Sequence, residues 1–217
     1  MRPITINMDL DTVDVNNVFE DQTLGGAGNF SLDGSGVTDG EWATGDGFAK
    51  KISFESSANL SALTFTITGF SDIRKRHAIT EDVTGPNATT VESTKYFAVI
   101  TQIASDGAVG TNCESGFVDE AVSDPVPLNW RASPFVVGLA AVVTGTVDYT
   151  IQHSYDDPQL GGEAMTWIDH NTAALVDATT TQDGSYTSSI RVSRVQINSH
   201  MSGAAVKSTW IQGQGSN

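Results

Sequence analysis

The stretch Leu63-Thr64-Phe65-Thr66-Ile67-Thr68 alternates apolar and hydroxylated side chains without a break. Successive side chains of an extended chain point to opposite faces, so a period of two puts Leu63, Phe65 and Ile67 toward a core and the three threonines toward solvent or a partner. The branched Cβ of Thr and Ile favours the same backbone. Upstream, Ile52-Ser53-Phe54 repeats the pattern. Downstream, 69–71 read as a turn, 74–83 alternate less cleanly with Ala78, Ile79 and Val83 as inward candidates, and Thr84-Gly85-Pro86-Asn87 carries a strong turn signal. Residues 96–103 resume a strand, with Tyr96, Ala98 and Ile100 on one face and Phe97, Val99 and Ile103 on the other, which leads us to expect cover on both sides.

The second half repeats the grammar. Asp124-Pro125-Val126-Pro127 holds two of the six prolines, which remove backbone donors and stiffen the chain, so a module boundary is placed here. The apolar run 135–144, the turn at Gly145 and the alternating Val147-Asp148-Tyr149-Thr150-Ile151-Gln152-His153 together predict a β-hairpin. A long loop over 156–183 contains Trp167-Ile168-Asp169-His170, and two closing strands, 190–198 and 205–211, flank the turn Met201-Ser202-Gly203. No stretch compels a helix. The first 48 residues read as an extended arm with loops. They carry nine acids (Asp9, Asp11, Asp14, Glu20, Asp21, Asp33, Asp39, Glu41, Asp46), a Gly-rich segment, and apolar groups too sparse to form a core unaided.

Composition agrees with an all-β chain. Of 217 residues only 17% are charged and 39% hydrophobic, the balance being rich in Thr, Ser, Asn, Gln and Gly. A net charge of −15 repels phosphates and argues against binding nucleic acid. One cysteine, Cys113, allows neither an intrachain disulfide nor a cysteine-rich zinc cluster, and a buried, passive thiol is expected. Met1-Arg2-Pro3-Ile4-Thr5 lacks the apolar run of a signal peptide, and no run approaches a membrane span, so synthesis in the cytoplasm without membrane association is expected. The Asn-x-Ser/Thr sequons at Asn29, Asn59 and Asn87 then carry no meaning.

Candidate chemistry is thin. His153, His170 and His200, with Asp156, Asp157 and Asp169, could be imagined as a metal cluster or parts of a hydrolase, but paired ligands at close spacing are missing and a structural role is expected. Asp9-x-Asp11-x-x-Asp14 departs from a calcium loop in its third acid and lacks the following Gly and distal Glu. Gly25-Gly26-Ala27-Gly28 and Gly34-Ser35-Gly36 fit neither phosphate-loop nor dinucleotide fingerprints, and no Gly-x-Ser-x-Gly elbow occurs. Trp130, Trp167 and Trp210 are expected to fill the core of the second module, with stacking on sugars as the alternative. No catalytic, cofactor-binding or metal residue is therefore assigned.

Several segments together resemble a family of tailed-bacteriophage virion proteins. They are Thr64-Phe65-Thr66-Ile67-Thr68-Gly69, Val83-Thr84-Gly85-Pro86-Asn87, Val91-Glu92-Ser93-Thr94-Lys95-Tyr96-Phe97, Pro127-Leu128-Asn129, residues 132–138, residues 145–158 with Gln-His-x-x-Asp-Asp-Pro, Arg191-Val192-Ser193-Arg194-Val195-Gln196-Ile197-Asn198, and Ile211-Gln212-Gly213. The similarity covers about two-thirds of the chain from about Lys50 onward; the acidic segment before it matches no shared pattern. It implies a non-enzymatic structural component of the particle, a capsid cement or decoration protein on the virion surface or, alternatively, a short tail or head fibre subunit with a receptor- or glycan-binding role. A hydrolase of cell-surface polymers, which needs two converging acids roughly 5–10 Å apart, is the remaining class. The expected architecture is two β-sandwich or jelly-roll-like modules, 1–126 and 127–217. Expected partners are the chain itself as a homotrimer joined by its arm, and virion proteins such as the major capsid protein or a tail or portal adaptor, with no cofactor, nucleic acid or membrane.

Overall fold

The computed structural model describes residues 3–213 and is built from antiparallel strands joined by turns and three single-turn 3₁₀ helices. The chain is all-β and divides into two compact units, one of residues 13–119 and one of residues 1–12 with 120–217. Each is a two-sheet sandwich.

In the 13–119 unit, one sheet orders the strands Val37–Thr38, Glu41–Ala43, Val99–Ser105, Thr64–Phe70 and Ala78–Thr84. The other sets Asp14–Leu24 and Ala49–Glu55 beside the strand that begins at Val109, with Thr90–Glu92 at its edge. Alternation in Thr64–Phe70 works as read: Phe65 and Ile67 are fully buried, and the intervening threonines are half-buried. Leu63 lies just before the strand and packs against the core only partly. Phe65 meets Phe30 edge-on at 5.5 Å and Phe54 at 5.2 Å, and Phe30 stacks on Phe19 at 4.4 Å, so aromatic side chains from several strands make one cluster. Residues 96–100 are buried on both faces, as the double-sided apolar pattern requires. Ala78, an inward candidate, is exposed because it lies on the opposite face of its strand from Ile79, which is half-buried, and Val83, which is buried.

Gly85-Pro86-Asn87 is not a turn but an extended segment against 59–63: Gly85 N–H donates to Leu63 O, Leu60 N–H donates to Pro86 O, and Asn59 bridges Asn87. Gly is required at 85 by close approach, since a Cβ would sit 2.4 Å from Leu60 O. The segment expected as an arm is woven into the fold: Asp14–Leu24 pairs with the strand starting at Val109, and Ile4–Asp9 pairs with Ala205–Gln212 from Ile4↔Trp210 to Asp9↔Ala205. Its sparse apolar groups suffice because they enter cores supplied by other strands, Met8 in one unit and Val18, Phe19 and Trp42 in the other.

In the second unit, one sheet orders Ile4–Asp9, Ala205–Gln212, Val137–Thr144 and Gln182–Tyr186. The other sets Ile168–Asp169, Val147–Ser154, Val192–His200 and Val126–Pro127 side by side through the partners of Val147–Ser154 and Val192–His200. The Asp-Pro-Val-Pro segment thus supplies a short strand inside this unit rather than a linker, and the unit begins near Glu120 and recruits the first strand of the chain. Val137–Thr144 and Val147–Ser154 are strands, but they do not form the expected hairpin. Val137–Thr144 pairs with Ala205–Gln212, and Val147–Ser154 pairs with Val192–His200, in different sheets. Both short connections, 145–146 and 201–204, therefore arch between the two layers, and Met201 N–H donates to Thr146 O at 3.0 Å to tie them together. Alternation fixes an extended backbone but not which strand pairs with it; Gly145, at φ 75 and packed on Ala204, makes the layer change.

Candidate functional site

Three elements of the second unit converge on one polar, aromatic corner. On Val147–Ser154, alternation places Tyr149, Ile151 and His153 on a single face, the first two fully buried and His153 8% exposed. Gln182–Tyr186 ends in the buried Tyr186, and Ile168–Asp169 delivers the buried His170 immediately after it. The His153 ring lies 5.3 Å from Tyr186 and the His170 ring 4.5 Å from it. Tyr155, 52% exposed, stands perpendicular to His153 at 5.6 Å. A cavity of about 130 Å³ opens here, walled by His153, Tyr155, Tyr186, Asn171, Ser185 and Ser188, among others.

The hydrogen bonds of these groups are incomplete. His170 Nδ1 accepts the Thr172 N–H at 3.0 Å, so its neutral tautomer carries the proton on Nε2, which turns toward the Ser185 backbone without closing a well-formed bond. The Tyr186 hydroxyl is buried near Ser193, equally without a well-formed bond, while Ser193 Oγ donates to Gln152 O at 2.8 Å. His153 Nδ1 is buried with no partner. Burial holds the His153 imidazole below the ordinary histidine range against the opposing pull of Asp169, and burial with the neighbouring His153 lowers His170 as well. Burial pushes the Tyr186 phenol upward. The corner thus presents neutral donors and acceptors.

Of the histidines and acids singled out in the sequence, His153, His170 and Asp169 come together. Asp169 accepts from Gln152 Nε2 at 2.9 Å, Gln152 accepts from Arg194 Nε at 2.8 Å, and the Arg194 guanidinium lies 4.1 Å from the centre of the Trp167 ring. His200 sits at the opposite end of its strand from Val192, with Nδ1 at 3.2 Å from Met201 O. Asp156 accepts from Thr166 N–H, and Asp157 caps the 3₁₀ turn at Gln159 and pairs with Arg191 at 3.3 Å, so Asp-Asp-Pro builds a loop. Asp9 accepts from Asn7, and Asp14 from Asn16, Asn17 and Ser35. Among the described residues no group of three or more His, Cys, Asp or Glu side chains is arranged to hold a metal ion. Gly34 and Gly36 are close-approach positions, where a Cβ would fall 2.4 Å from Asn17 backbone and 2.1 Å from the Asn17 side chain. Cys113 is buried, and burial raises its thiol to about 12.

The tryptophans divide. Trp210 is core, Trp167 is half-buried with Nε1 donating to Gly162 O at 2.7 Å, and Trp130 is 42% exposed, with the guanidinium groups of Arg131 and Arg191 4.7 and 5.6 Å from its ring centre. Sequence reasoning missed Tyr155, Tyr186 and the hydroxyls of 185–188. Tyr155 lies inside the Gln-His-x-x-Asp-Asp-Pro segment, but nothing in the sequence marks Tyr186 as its neighbour.

No protein-family model and no curated protein matches this chain.

Proposed function

We propose that this protein is a non-enzymatic structural component of a tailed-bacteriophage particle, a cement or decoration protein on the capsid surface. The observation that carries the reading is the resemblance of its segments to such proteins, and three of these segments coincide with strands of the fold: 145–158 contain Val147–Ser154, 191–198 fill most of Val192–His200, and 64–69 form most of Thr64–Phe70. Exposed apolar side chains such as Val15, Trp130, Val136 and Ile211 offer area for adhesion to a partner, while the net charge of −15 opposes association between copies of the chain. The partners in this reading are the major capsid protein or a tail or portal adaptor, together with further copies of the chain. A homotrimer here does not use exchange of the first strand, which is already paired within its own chain. The second reading, a short tail or head fibre subunit that touches a receptor, is favoured by the cavity beside Tyr155.

The test is antibody labelling of purified particles followed by density mapping. Signal distributed over the capsid supports the decoration reading, signal confined to the tail or a head fibre supports the second, and absence from particles overturns both.

A further inference from the structure

We propose that the cavity beside His153 and Tyr155 is a binding site for one neutral sugar residue of a glycan. This deepens the receptor-binding alternative above and does not depend on which part of a particle carries the protein.

Three observations converge. The walls carry imidazole, phenol, amide and hydroxyl groups, with Ile190 as the aliphatic exception, and no Lys, Arg, Asp or Glu. Such a wall offers nothing to neutralise an anion or a cation, whereas a sugar hydroxyl both donates and accepts and so matches every group in it. The cavity, about 130 Å³, is well below the roughly 300–1,000 Å³ of sites that enclose drug-sized ligands, which fits a single ring or its edge. Finally, Tyr155 is half-exposed at the cavity and fixed perpendicular to His153, presenting an aromatic surface for the C–H face of a pyranose while its hydroxyl stays available for a bond. Burial keeps the two imidazoles uncharged at neutral pH, consistent with a ligand that brings no charge.

The experiment screens the full-length chain on an array of neutral and acidic glycans, and then titrates the strongest neutral hit into ¹⁵N-labelled protein. Three variants accompany it: Tyr155→Ala, Tyr155→Phe, and Trp130→Ala as an exposed aromatic outside the cavity. The expected result is binding to neutral glycans with saturable shifts at Asn171 and residues 185–188, weakened at least tenfold in Tyr155→Ala and retained in Tyr155→Phe and Trp130→Ala. The dispersed spectrum of each variant reports that it is folded. No binding to any neutral glycan, binding confined to acidic glycans, or binding that survives Tyr155→Ala and is lost in Trp130→Ala overturns the proposal. Because the readout uses purified protein, its failure leaves the particle assignment standing, and failure of particle labelling leaves this site standing.

Discussion

Lys50 gives the sharpest test of the energetics of the 13–119 unit. Its side chain is fully buried, with Nζ 2.7 Å from Asp46 Oδ2, itself nearly inaccessible, and 4.6 Å from the centre of the Phe117 ring. Removing two charges from water costs several kcal/mol per ion, which mutual attraction repays only while both partners are present. Asp46→Asn keeps the size of the side chain but leaves the ammonium uncompensated against Phe117. The expected loss is about 3–5 kcal/mol. Lys50→Met removes the need for compensation and keeps most of the packing, so it should cost far less than Asp46→Asn, and the double variant Asp46→Asn/Lys50→Met should recover most of the single-variant loss. Because two units can unfold separately, native-state hydrogen exchange should be read at Ala49–Glu55 and, as an internal control, at Val137–Thr144. Equal losses in Asp46→Asn and Lys50→Met, with no recovery in the double variant, would refute the argument that an orphaned charge sets the penalty.

Phe65→Ala should cost about 3–5 kcal/mol, because the ring is fully buried between Phe30 and Phe54, whereas Leu63→Ala should cost clearly less, because Leu63 is half-buried; urea denaturation of both checks the order. His153 and His170 titrate below their ordinary value of 6.5 when folded, so the unfolded chain takes up protons first. Their contribution to stability is complete above about pH 6.5 and is lost as pH falls through the lower folded values; melting temperatures at pH 7.5 and 5 should differ more in the parent than in His153→Asn/His170→Asn. EDTA should leave the melting temperature unchanged, and a large fall reversed by calcium or zinc would expose a metal requirement. Light scattering at moderate salt should give three times the 22.9 kDa chain mass, with a monomer counting against the trimer.

What the sequence made legible was extended backbone. The alternation at 63–68 and 147–153 located strands within a residue or two, because a period of two is a property of each strand by itself. Pairing was not legible there. The partners of Val137–Thr144 in Ala205–Gln212 and of Val147–Ser154 in Val192–His200 lie 38 to 75 residues away, and nothing in either strand distinguishes a hairpin from an arch. Gly85-Pro86-Asn87 misled for a related reason: turn-forming residues also serve where one backbone crosses close to another, and only the neighbouring Leu60 tells the cases apart. The site was legible in part. His153, His170 and Asp169 stood out by residue type, while Tyr186 joins them only through the edge strand Gln182–Tyr186.

The pairing of Ile4–Asp9 with Ala205–Gln212 orders events at the ribosome. The first strand emerges early, but its partner follows nearly two hundred residues later, which at about 5–20 residues per second is a delay on the order of 10–40 s. Residues 13–119, by contrast, hold their own core cluster and can consolidate as soon as they are released. The nascent chain thus completes an inserted unit while the host unit still waits, with an unpaired N-terminal edge exposed throughout. The alternating polar positions Thr5, Asn7 and Asp9 along that edge keep it half hydrophilic during the wait, which limits adventitious pairing between neighbouring nascent chains.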